Sequence, residues 1–98
     1  MSEGISNKVK RRVVRNHADN PEKLAQVLKR PLSVQWDYNR EQGRLSHNAL
    51  RAQAMRYVRD TVRFLMPDLE GAARQTVALV EWPQGMGVSP SFEEVMSS

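Results

Sequence analysis

Between Arg44 and Pro67 the chain reads RLSHNALRAQAMRYVRDTVRFLMP, and the spacing of its apolar residues constrains the fold more than any other feature. Leu50, Ala54, Tyr57, Val58, Thr61, Val62 and Leu65 recur three or four positions apart, which gathers them on one face of a helix. Ser46 is a residue type that accepts from the unpaired N–H groups of a helix start. Leu45 and Leu50 stand at the ends of a hydrophobic staple, and Pro67 cannot continue the element. The pattern predicts a long helix over 46–66. Arg56, Arg59 and Arg63 line its other side as the polar back of an amphipathic helix, with Asp60 near for partial pairing. A helix with one apolar stripe must bury it against other elements, so the remaining chain has to supply a bundle.

The 98 residues allow one domain with a modest core. No apolar run approaches the length of a membrane span, and the N-terminus lacks the apolar core of a signal peptide. With no Cys, disulfide scaffolds, zinc–thiolate sites and thiol chemistry are excluded, and a cytoplasmic location is expected.

Upstream, Ile5, Val9 and Val13 recur every fourth position and predict a helical stripe that packs, with Lys8, Lys10, Arg11, Arg12 and Arg15 over the remaining surface. In DNPEKLAQVLKRP, Asn20 suits a helix start, Pro21 the first helical position and Glu22 the positive helix end. Leu24, Val27 and Leu28 form an apolar face, and Pro31 is expected to end the element. Downstream, Asp68 is a candidate cap for a helix carrying Leu69, Ala72, Ala73, Thr76, Val77 and Val80. From Pro83, PQGMGVSPS reads as linker. The tail can form one turn through a Ser91–Glu94 capping box that displays Phe92, Val95 and Met96.

The stretch RPLSVQWDYNREQG has two readings. As a strand it alternates Leu32, Val34, Trp36 and Tyr38 on one face. As a helix capped by Ser33 and ended at Gly43, it turns Val34 and Tyr38 inward and leaves Gln35, Trp36, Asn39 and Arg40 outside. Thr76–Trp82 is the available partner strand, so both segments are extended or both helical. The helical reading is preferred, because an isolated strand needs neighbours. The fold expected is therefore mainly α, four or five helices around the long one. The alternative is α+β with a two-stranded sheet from 32–38 and 76–82. Residues 1–82 form the domain and 83–98 a flexible acidic tail, whose removal should leave folding intact.

Charge is polarised along the chain. Residues 1–30 carry eight Lys/Arg against three acids, and residues 67–98 one Arg against five. Such a chain either meets an anionic partner at its front or pairs its two ends. His17 and His47 are the only histidines, and no Gly-rich phosphate loop exists. No catalytic or metal-binding constellation results; an enzyme is not expected, nor a cofactor. Lys8, Lys10, Arg11, Arg12 and Arg15, without interleaved acids, suit phosphate neutralisation. Gln35, Trp36, Asn39 and Arg40 are side chains able to read or stack on bases. After a helix ending at Pro31 they would form a helix–turn–helix-like arrangement, though Lys29, Arg30 and Pro31 stand where a small turn residue is usual. The reading is a small nucleic-acid-binding regulator, with DNA preferred to RNA, acting as a dimer. The competing reading is a protein-binding inhibitor or accessory module, with Phe92, Val95 and Met96 as a docking peptide.

Overall fold

The computed structural model describes residues 6–98. Ser6 opens the first helix by accepting from the Val9 N–H at 3.3 Å, and α1 runs Asn7–Asn16. After a turn, the Asn20 side chain accepts from the Lys23 N–H at 3.2 Å and Pro21 takes the first helical position of α2, Pro21–Gln42. Gly43, at φ 68°, ends it in the left-handed conformation that only glycine adopts cheaply. Ser46 caps α3, His47–Val62, which tightens into a 3₁₀ turn at Arg63–Leu65. α4 runs Glu70–Leu79, a non-helical segment follows, and α5 closes the chain at Phe92–Ser97.

The protein is thus a bundle of five α-helices, with no strand among the described residues. The two-stranded alternative is overturned. Residues 32–38 lie inside α2, and of the second segment 76–79 belong to α4 while 80–82 follow it without helix or strand. α3 sits at the centre, packed against α2, α4 and α5. Val58, Val62 and Leu65 are fully buried there, together with Leu32, Ala73, Thr76, Met86 and Val95. The Thr76 hydroxyl satisfies itself on the Ala72 carbonyl at 2.8 Å, which lets a polar residue sit in the core.

Pro31 does not break the chain as expected; it lies in the middle of a 22-residue helix. A proline there removes the donor for the Val27 carbonyl and costs about 3 kcal/mol or more in a helix interior. Two features offset that cost. Val27 and Pro31 lie on the exposed side, so the affected stretch is open to water. The opposite side buries Leu24, Ala25, Leu28, Leu32 and Trp36 against α3 and α4, on both sides of the proline.

The segment from Pro83 is not a flexible tail. Pro83, Met86, Pro90 and Val95 are buried, and α5 packs on α3 and α4. Three arginines from the bundle hold it. Arg51 donates to the carbonyls of Met86 (3.0 Å) and Val88 (2.8 Å), and Arg59 to that of Ser98. Arg74 pairs with Glu93 at 2.8 Å and lies over the Phe92 ring at 4.5 Å. Segment 80–91 makes few backbone bonds of its own, so side-chain donors answer part of what its carbonyls need. Gly87, at φ 101°, lets the backbone pass beside Arg51.

Candidate interaction surfaces

The basic cluster of α1 divides into two groups. Arg15 faces the bundle and donates to the Phe64 carbonyl at 3.2 Å and to Asp68 in a two-pronged pair. That hydrogen bonding holds the Asp68 carboxyl below its ordinary value and raises Arg15. Asp68 therefore does not cap α4, whose first turn has no side-chain cap. Arg11 lies over the Phe64 ring at 5.8 Å, with Arg63 over the same ring at 5.2 Å. Lys8, Lys10, Arg11 and Arg12 are all exposed, and none is in an ion pair among the described residues. The packing face also differs from the expected one. Val14 is the buried residue of α1, while Val9 and Val13 are 40% and 49% exposed. Ile5 lies outside the described residues.

The polarity of the chain is partly answered inside it, since Arg15–Asp68 and Lys29–Glu81 (3.0 Å) join front to back. Both pairs are on the surface and hold the bundle weakly.

α2 explains the alternation around Trp36. Leu28, Leu32 and Trp36, four apart, form the inward stripe; Trp36 is 4% exposed. Val34 and Tyr38 point the other way, 59% and 61% exposed, so the expected places of Val34, Tyr38 and Trp36 are reversed, while Gln35 and Arg40 are exposed as expected. The period of two in the sequence is two helical stripes interleaved. A single amphipathic stripe explains only one of them.

Trp36 is consequently unavailable for stacking on a base. Its ring stands edge-on to His47, with centroids 5.9 Å apart, and its indole N–H has no partner among the described residues. The amide of Asn39 donates to Gln53 across the α2–α3 contact, and Arg40 pairs with Asp37 at 3.3 Å. Gln35 is exposed but borders the same narrow cavity as Trp36 and Asn39. These four residues do not form one base-reading face, and the helix–turn–helix-like arrangement is absent because α2 is continuous. Nor is there a docking peptide at the C-terminus: Val95 is fully buried, with Phe92 and Met96 packed against the core.

Both histidines serve the backbone. His47 Nε2 lies 3.1 Å from the Met86 carbonyl and His17 Nδ1 2.9 Å from that of Val13, so each of those nitrogens carries the proton. No cluster of three or more potential metal ligands exists among the described residues. No helix among them is long and apolar enough to cross a membrane.

The sequence reading missed an apolar surface. Val27, Pro31, Val34 and Tyr38 follow one another at intervals of four, three and four along α2 and are all exposed. Their spacing was the available signal, obscured by the expected break at Pro31. Beside the upper half of this stripe a groove of about 430 Å³ opens between α1, α2 and α3. Val13, Val27, Pro31 and Tyr57 line it, with Lys10 and Lys23 among its charged residues. Burial at its floor raises the Tyr57 phenol above its ordinary value. Comparison of the chain with protein-family models, curated proteins and solved structures finds no match in any of the three.

Proposed function

We propose that the protein is a small cytoplasmic regulator that binds the phosphate backbone of nucleic acid through α1 and acts as a dimer. One observation carries this reading: Lys8, Lys10, Arg11 and Arg12 are exposed on one ten-residue helix without an ion-pair partner among the described residues. Phosphates are the anions such a cluster of unpaired cations suits. With Trp36 buried and Asn39 engaged, the reading contains no base-specific step. Binding is by charge and is indifferent to sequence.

Retention on duplex DNA at several salt concentrations tests it. Each phosphate contact contributes about 0.9 to the slope of log affinity against log salt. Replacing Lys8, Lys10 and Arg12 by Ala should flatten the slope by about 0.9 for each cation in contact and weaken all DNA sequences alike. Arg11 is left in place because it also covers Phe64. No binding to DNA or RNA at low salt ends the proposal. The second reading, a protein-binding module, is favoured by the groove and the exposed stripe of α2, and a protein partner without nucleic-acid binding would support it.

A further inference from the structure

The exposed stripe of α2 has a geometry that specifies its own complement. Val27, Pro31, Val34 and Tyr38, at intervals of four, three and four, form a seam about 16 Å long on a rigid helix. A globular helix needs one apolar stripe for its own core, and α2 already has that stripe in Leu24, Leu28, Leu32 and Trp36. The second seam is contiguous with the groove at Val27 and Pro31 and open to water.

We infer that this seam is the interface between two copies of the chain, with the two α2 helices antiparallel. The inference rests on the dimeric part of the function proposed above and gives it a surface. Charge complementarity selects the second copy as occupant. A two-fold axis between Pro31 and Val34 sets Val27 against the partner's Tyr38 and Pro31 against the partner's Val34. The same register brings the flanking Arg30 beside the partner's Asp37, twice over by symmetry, and Lys23 near the partner's Glu41. Arg30 has no ion pair among the described residues, and Asp37 has only Arg40 of its own helix, at 3.3 Å. Both flanks are exposed and ready for the exchange. A parallel arrangement would instead turn the Arg30 and Asp37 of the two copies to opposite edges of the seam, each facing an uncharged glutamine of the partner helix, and the exchange would be lost. Val13, 49% exposed at the groove wall, extends the apolar area toward α1. A contact along one helix lies at the small end of stable interfaces, so the association should be reversible in the micromolar range.

Sedimentation of the full chain across that range should show a concentration-dependent monomer–dimer equilibrium. Val34→Asp, on the exposed side, should keep the helical circular dichroism and raise the dissociation constant on the order of 100-fold. Arg30→Glu and Asp37→Arg should each weaken self-association. An equimolar mixture of the two should restore it, because both flanking pairs of the mixed dimer are then of opposite sign. A wild-type chain that stays monomeric, a Val34→Asp dimer of unchanged affinity, or a mixture no tighter than its components overturns the inference. The mixing experiment keeps it falsifiable should Val34→Asp not fold. Monomeric Val34→Asp that still shows salt-dependent DNA retention separates the interface from the phosphate-binding proposal, since either can fail alone.

Discussion

α1 and the segment from Pro83 to Ser98 are both short, charged ends attached to the same helical centre, and they are attached by different means. α1 buries one side chain, Val14, and otherwise relies on Arg15 reaching Phe64 and Asp68 and on Arg11 over the Phe64 ring. The C-terminal segment buries Pro83, Met86, Pro90 and Val95 and receives three arginines from the bundle. Composition misleads about both. The front has regular helical spacing yet little anchorage, and the back has loop composition yet belongs to the core. Buried apolar area decides which end is part of the fold.

The widest separation between the two ends should come from truncation. Deleting 89–98 removes Val95 with the half-buried Phe92 and Met96, and should cost at least about 4 kcal/mol, a large share of such a domain's stability. A melting curve followed by circular dichroism reads this directly; an unchanged midpoint would return the segment to the status of a tail. Val95→Ala alone should cost about 2 kcal/mol, against about 1 kcal/mol for Val14→Ala, where the side chain is at the edge of the core. Arg51→Ala should fall between them at about 1.5 kcal/mol, because it leaves two carbonyls short of a charged donor. Hydrogen exchange sharpens the same contrast, with α1 amides exchanging through local opening well before those of α3.

The smallest effect is that of acid. Asp68, which holds α1 through Arg15, and Glu93, which holds α5 through Arg74, both have carboxyls held below their ordinary values, each by hydrogen bonding to its arginine first of all. A depressed folded-state pKa contributes stability above the unfolded value, and that stability is lost as pH falls through the folded one. Melting temperature should therefore begin to drop below about pH 4. Asp68→Asn and Glu93→Gln should each remove part of that dependence. Both pairs are exposed, so the shifts should be slight and should shrink further in salt.

The central helix was legible because Leu50, Ala54, Val58 and Val62 repeat without interruption and Ser46 marks the start. The capping box at Ser91 and Glu94 was equally readable, since both of its hydrogen bonds are local. α2 was not, for two physical reasons. A proline is normally a stop, and its tolerance at Pro31 depends on burial against α3 and α4 that no local pattern contains. Trp36 and Tyr38 are two apart, hence on different sides of a helix, and only tertiary packing decides which of them is inside. The basic cluster of α1 was visible as charge. Its division into Arg15, which serves the bundle, and Lys8, Lys10 and Arg12, which do not, depends on Asp68 fifty-three positions away.

The indole N–H of Trp36 is buried without a partner among the described residues. A buried donor left without a partner carries a desolvation penalty of about 1–3 kcal/mol, so this side chain is held by its volume against a cost imposed by its own nitrogen. Phenylalanine at position 36 would give up some contact area and be relieved of that penalty. The two changes oppose each other, and the substitution becomes far milder than Trp36→Ala, which also removes the donor but leaves the site empty. The rarest letter of the segment then has a modest meaning: the space between α2 and His47 calls for a large flat ring, and the ring's hydrogen-bonding capacity goes unused.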